Sequence, residues 1–203
     1  MPIYANFELL AEQNKEKIEV FENIKNEEEA KTKIEKYLKI VVEYEKNNQL
    51  EKAITYLKKV INLEKLFFGV DAIEVAETHK WIADIYLDLG KIKKSEIQIN
   101  KSLEICKKLN EEKNCDNLDI LNTAGLISIE LNSYSKATNI FENIIKIEEK
   151  LYGNEYENLI SSYNNLGAAY YEKRQFNKAI NSFKKSLFIL GKQKKRDFEL
   201  DGT

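Results

Sequence analysis

Residues 163–170 read Tyr163-Asn164-Asn165-Leu166-Gly167-Ala168-Ala169-Tyr170, and residues 179–183 read Ala179-Ile180-Asn181-Ser182-Phe183. In the first stretch Tyr163, Leu166, Gly167 and Tyr170 recur at the three, four and seven spacing of one helix face. Arg174-Gln175 breaks the pattern. A second stripe follows at Phe176, Ala179, Ile180, Phe183, Leu187 and Leu190. Small residues stand at 167 and 179. Stepping back 42 residues finds Gly125 and Ala137, with Phe141 matching Phe183. Another 42 finds Ala83 and Ser95, with Tyr86 matching Tyr170. A third step finds Val41 and Ala53, with Tyr44 and Leu57 in register. A fixed period of this length, two amphipathic stripes per unit, marks an array of helical hairpins.

The period divides the chain into units at 34–75, 76–117, 118–159 and 160–191, with 1–33 before them and a basic tail, 192–203, after. Asn47-Asn48 and Gly90 punctuate the turns inside the first two units. Two helices approach closely only where a side chain is small, so Gly167 is expected to face Ala179, and a larger residue there to overpack the contact. In the first 33 residues Phe7, Leu10, Ala11, Ile18 and Phe21 form a weak helical stripe, expected to cap the first unit. Asn26 reads as a helix N-cap with Glu29 reaching back, so the first unit's helix is expected from about Glu27. No long helix is expected to cover the last unit, which leaves apolar surface open there.

The pattern resembles the tetratricopeptide repeat: an aromatic, then Leu-Gly, then Tyr, then a small residue and an aromatic four further on. The last unit carries it as Tyr163, Leu166-Gly167, Tyr170, Ala179 and Phe183. The second has His79, Ile82-Ala83, Tyr86, Ser95 and Ile99; the first has Tyr37, Ile40-Val41, Tyr44, Ala53 and Leu57. The third has Leu121, Ala124-Gly125, Ser128, Ala137 and Phe141. The period exceeds the family's common 34 by eight and is similar to the long, kinesin-light-chain-like subclass, which also places Gly between units (Gly69, Gly153) and paired Asn early in the first helix (Asn164-Asn165). A 42-residue period also suits HEAT or armadillo units. The twelve-residue small-to-small spacing and the Leu-Gly-x-x-Tyr string favour the tetratricopeptide reading. The resemblance implies an all-α, right-handed solenoid of four such repeats with an N-terminal helix.

Composition narrows the function. The chain has 203 residues, 32 basic and 34 acidic, for a net charge of −2. Near-balance argues against a dedicated nucleic-acid binder. One Pro and seven Gly are few for an all-β or Gly-rich nucleotide fold. No apolar run reaches the ~20 residues that span a bilayer, and the N-terminus shows no signal peptide. With two Cys and one His, one chain cannot furnish a usual four-ligand zinc site. His79 is expected as a packed imidazole, and Cys106 and Cys115 as reduced thiols in a cytoplasmic setting. No nucleophile elbow or phosphate loop occurs. No catalysis, cofactor, metal, membrane or nucleic-acid partner is therefore expected. The run Lys192–Arg196 reads as a solvated tail or a weak contact for an acidic partner.

In the resembled family the first helices of the repeats line a concave groove, at the second, fifth, sixth, ninth, twelfth and thirteenth positions of each unit. Carried over, the partner-binding residues are Lys80, Trp81, Asp84 and Asp88; Asn122 and Leu126; and Asn164, Asn165, Tyr171 and Glu172. Asn suits such a site because its amide both donates and accepts, gripping a peptide backbone of any sequence. Trp81 and Tyr171 offer large area at low entropy cost. Leu38, Val42, Asp84, Asp119 and Thr123 stand where members that clamp a C-terminal carboxylate need basic or amide side chains, so that mode is not expected. The acids imply a neutral or basic peptide segment. The expected function is a non-catalytic adaptor or scaffold. The rivals are a peptide-sensing regulator of an effector and a self-assembling module that dimerises through its uncovered last repeat.

Overall fold

Asn26 opens the first helix. Its side-chain oxygen accepts from the Glu29 backbone N–H at 2.9 Å, satisfying a donor that has no partner inside the helix. Glu29 reaches back as anticipated, but to the Asn26 side-chain amide (3.4 Å). The computed structural model describes residues 26–111 and 117–200, with side chains for 26–109 and 117–193. The expected N-terminal capping helix lies outside these, except that residues from Glu27 onward belong to α1. The chain divides into two units, 1–72 and 73–203.

In the first unit α1 (Glu27–Lys46) and α2 (Leu50–Phe67) form a hairpin. Ala30, Ile34, Val60 and Leu63 are buried between them, flanked by Tyr37, Leu38, Phe67 and Phe68. The second unit holds α3 (Ile73–Asp88), α4 (Ile92–Glu111), α5 (Leu118–Glu130), α6 (Tyr134–Tyr152), α7 (Leu159–Glu172) and α8 (Phe176–Leu200). These pair as hairpins α3–α4, α5–α6 and α7–α8, and each hairpin's second helix packs on the next hairpin's first. First helices also touch one another, α3 with α5 and α5 with α7. The result is the all-α repeat solenoid that the period implies: first helices side by side in one layer, second helices in the other, apolar side chains between. Phe141, Ile144, Leu159, Tyr163 and Ala169 are among the residues of that core.

The turn inside each hairpin repeats with the period. Asn48, Gly90, Asn132 and Arg174, 42 residues apart, all have positive φ, between 54° and 66°. This left-handed residue lets the next N–H reach back five residues. Gln49 donates to the Tyr44 carbonyl, Lys91 to Tyr86, Ser133 to Ser128 and Gln175 to Tyr170, at 2.7–2.8 Å. Asn and Gly tolerate the conformation, whereas Arg174 adopts it under strain. A ring-and-cation pair also recurs: Lys52 over Tyr44, Lys94 over Tyr86 and Lys178 over Tyr170, 5.1–5.7 Å from the ring centroids. The third unit has Ser128 in place of the ring, and its hydroxyl donates to the Ala124 carbonyl instead.

Three expectations are corrected. Gly167 faces the ring of Phe183, where an added Cβ would lie 2.6 Å from the nearest ring carbon, and no Ala179 atom is among its nearest neighbours. Gly125 lies likewise under Phe141. A small-to-small approach does occur in the second unit, where the Ser95 hydroxyl donates to the Ala83 carbonyl at 2.6 Å. Across the four units the pairs in register are Val41/Leu57, Ala83/Ile99, Gly125/Phe141 and Gly167/Phe183. The residue under the ring shrinks where its partner is Phe, which keeps the joint volume near that of the close-packed interior. Second, α8 runs to Leu200, through residues set apart above as a tail; Lys192 pairs with Glu155, and the Gln193 amide donates to the Glu155 carbonyl at 2.7 Å. Third, Cys106 is disulfide-bonded rather than reduced; Cys115, the chain's other cysteine, lies outside the described residues.

Candidate partner-binding groove

The layer of first helices α3, α5 and α7 presents one helix position per row, because each helix restarts the same register. Within the second unit the thirteenth positions are Asp88, Glu130 and Glu172, and all three carboxylates are exposed. The second positions are Glu77, Asp119 and Ser161, also exposed. Two rows rich in acid therefore run along the two edges of this layer. The lower ends of the helix dipoles add to the first row, since Asp88, Glu130 and Glu172 each sit at a helix C-terminus.

Between the rows the polar side chains bond to one another. Lys80 pairs with Asp84 at 2.9 Å along α3, both partly buried. The other Asp84 oxygen accepts from the Thr123 hydroxyl of α5 at 2.8 Å. One helix on, the Asn165 amide of α7 donates to the Asn122 side-chain oxygen of α5 at 2.9 Å. Asn117, the N-cap of α5, donates to Glu77 of α3 at 3.5 Å. Adjacent first helices are thus joined by side-chain hydrogen bonds, a feature periodicity cannot reveal. Thr123 is buried by that bond and offers nothing to a partner.

The nominated residues divide accordingly. Asn122 and Asn165 meet, each half-buried, and the bond between them does not use the Asn122 amide hydrogens or the Asn165 side-chain oxygen, a donor and an acceptor. Asn164 and Glu172 are exposed. Trp81 is half-buried on α3. Leu126 is half-buried and packs on the core, so much of its area is already spent. Tyr171 is 58% exposed with its ring edge-on to Phe176 at 5.6 Å between centroids. Lys80, Trp81, Asp84 and Asp88 on α3, Asn122 and Leu126 on α5, and Asn164, Asn165, Tyr171 and Glu172 on α7 thus fall within one layer of one unit. His79 is buried behind that layer, with Nδ1 2.8 Å from the Gln98 side-chain oxygen. Among the described residues no cluster of three or more His, Cys, Asp or Glu could hold a metal ion, and no helix is long and apolar enough to cross a membrane.

The helix-hairpin register, the turn residue at one fixed place and the small residue under each ring are what a tetratricopeptide repeat requires. That family matches residues 116–190, and again residues 34–65 and 76–109. The chain belongs to the tetratricopeptide-repeat family. Several solved structures share its fold. BtubC (BKLC) from P. vanneervenii superposes with a TM-score of 0.69 at 19% identity, over 78% of this chain and 63% of that one. A variant of Podosopora anserina kinesin-light-chain-type, nearly identical TPR-like repeats gives 0.67 at 15% identity, over 80% and 76%. The apo form of RapI gives 0.69 at 20% identity, over 91% and 63%. The chain spans less than two thirds of the length of BtubC and RapI. No curated protein matches the sequence.

Proposed function

We propose that this tetratricopeptide array is a non-catalytic protein-interaction module that holds an extended, neutral or basic peptide segment against α3, α5 and α7. The observation that carries the reading is the Asn122–Asn165 amide pair set between the acid rows at Asp88, Glu130, Glu172 and at Glu77, Asp119. An extended backbone presents a carbonyl and an N–H in alternation, and the pair offers the complementary donor and acceptor. Lys or Arg side chains of the segment then reach the carboxylates on either side, which adds orientation and association rate more than affinity. Trp81 and Tyr171 supply the apolar area at the two ends of the layer.

The frame forms without a ligand, so little ordering cost falls on the array when a partner docks. An affinity of about micromolar, roughly −8 kcal/mol, is expected for a segment of this kind.

The experiment is capture from the native host with the wild-type protein and with an Asn122→Ala/Asn164→Ala/Asn165→Ala variant, followed by mass spectrometry. A partner retained by the first and lost by the second assigns binding to this layer. Equal capture by both moves it elsewhere on the protein.

A further inference from the structure

A helix C-terminus carries partial negative charge and is stabilised by a cation. α1, α2, α4 and α6 follow that rule, with Lys46, Lys65, Lys108 and Lys150 in their last turns. The first helices of the second unit do the opposite. α3, α5 and α7 have no basic residue in the last turn, and their final residues are Asp88, Glu130 and Glu172. All three carboxylates are exposed, and none forms an ion pair among the described residues. Each charge opposes its own helix dipole, at the same register in three successive repeats. Local rules broken without a compensating contact belong to functional sites. The row on the other edge is less regular: Ser161 interrupts it, and Glu77 already accepts from Asn117.

The spacing of the Asp88, Glu130 and Glu172 row says what fits it. α3 touches α5 and α5 touches α7, and helices packed in this way lie about 8–10 Å apart. A ligand that meets all three carboxylates must repeat a cation at about that interval. A β-strand does not, because side chains on one of its faces recur about every 6.7 Å. An α-helix does, about 10.5 Å apart at every seventh residue, but its backbone is satisfied internally and leaves the Asn122–Asn165 pair nothing to bond. A polyproline II segment meets both demands. Its three residues per turn set every third side chain on one face about 9.3 Å apart, and its backbone has no internal hydrogen bonds.

We propose that the row Asp88, Glu130 and Glu172 selects a partner segment in the polyproline II conformation that carries Lys or Arg at every third residue. The inference rests on the reading of α3, α5 and α7 as the peptide-binding layer and adds the spacing that this layer reads.

The test uses the full chain and three fluorescent peptides of one composition. The first repeats Pro-Ala-Arg three times. Its two isomers place the same three Arg at every second and at every fourth residue. Anisotropy is expected to show the third-residue peptide binding about threefold to tenfold tighter than either isomer, as exposed ion pairs made or missed allow. Asp88→Asn/Glu130→Gln/Glu172→Gln is expected to abolish that preference. The same variant should melt at or above the wild-type temperature, because three charges that oppose helix dipoles are gone. Equal binding of the three isomers, no binding by any of them, or a preference that survives the triple variant would overturn the inference. So would a lowered melting temperature of that variant, which would assign the row to folding. Asn122→Ala/Asn165→Ala tests the underlying reading separately: it is expected to weaken all three peptides alike, and a spacing preference left intact with no such weakening would overturn the role of the amide pair while the acid row stands.

Discussion

A methyl group added at Gly125 would lie 2.5 Å from the ring of Phe141, which is completely buried. The same step recurs at Gly167 and Phe183, but there the ring is 37% exposed and has room to turn outward. The two glycines stand in identical register and differ only in what covers the ring. Substitution should therefore separate them. Gly125→Ala is expected to destabilise by about 1–3 kcal/mol through overpacking. Gly167→Ala should fall near zero, because the ~1 kcal/mol helix-propensity gain of Ala over Gly offsets a smaller steric cost. Thermal melts of both variants check the ranking, and equal losses would contradict it.

Arg174 holds the left-handed turn conformation (φ 61°) that Asn48, Gly90 and Asn132 hold at the equivalent places. An L-residue with a long side chain is strained there by roughly 1–2 kcal/mol, and Asn is strained less. Arg174→Asn is expected to stabilise the protein by about 0.5–1 kcal/mol, and Asn132→Arg to destabilise it by a similar amount. Urea midpoints of the two variants should move in opposite directions.

Glu148 is 3% exposed, and one of its carboxylate oxygens has no hydrogen-bond partner. Burial raises its pKa above the ordinary glutamate value of 4.5, while the hydrogen bond with Ser162 pulls the other way without cancelling it. The folded protein thus binds this proton more tightly than the unfolded chain. Its stabilising effect is complete below about pH 4.5 and is lost as pH rises through the higher folded-state value. Glu148→Gln removes the charge. It is expected to raise the melting temperature at neutral pH, with the gain shrinking as the pH is lowered toward 4.5. A gain that does not vary with pH would assign the effect to packing instead.

Much of this was legible in the sequence, for a physical reason. The 42-residue period records positions that must be apolar, small or turn-forming, and each of those demands acts within one repeat. The helix start at Glu27, the turns at Asn48 and Gly90 and the buried His79 all follow from local rules. What filled the space above Gly167 did not, because spacing shows that a small residue is needed without showing which side chain it accommodates. Nor did the Asn165–Asn122 and Thr123–Asp84 bonds. They run between neighbouring repeats, at separations of 43 and 39 residues, and a period of 42 aligns equivalent residues rather than bonded ones. The state of Cys106 was missed because a spacing of nine between the chain's two cysteines does not by itself specify a bond.

Cys106 is disulfide-bonded, and the described residues include no free cysteine. Alkylation under native, oxidising conditions is expected to leave Cys106 unmodified, and addition of a reductant to expose it. Peptide mass mapping reads the outcome directly. Modification without reductant would show that the thiol is free in solution.

The central claim is that the Asn122–Asn165 pair presents its remaining donor and acceptor to a peptide backbone. The most direct measurement is the affinity of a peptide selected by display on the wild-type protein, titrated into wild type and into Asn122→Ala/Asn165→Ala, with melting temperatures recorded for both. Loss of two hydrogen bonds predicts affinity weakened by about tenfold, with folding largely preserved. Unchanged affinity alongside a lowered melting temperature would contradict the account, because the amide pair would then serve only to join α5 to α7.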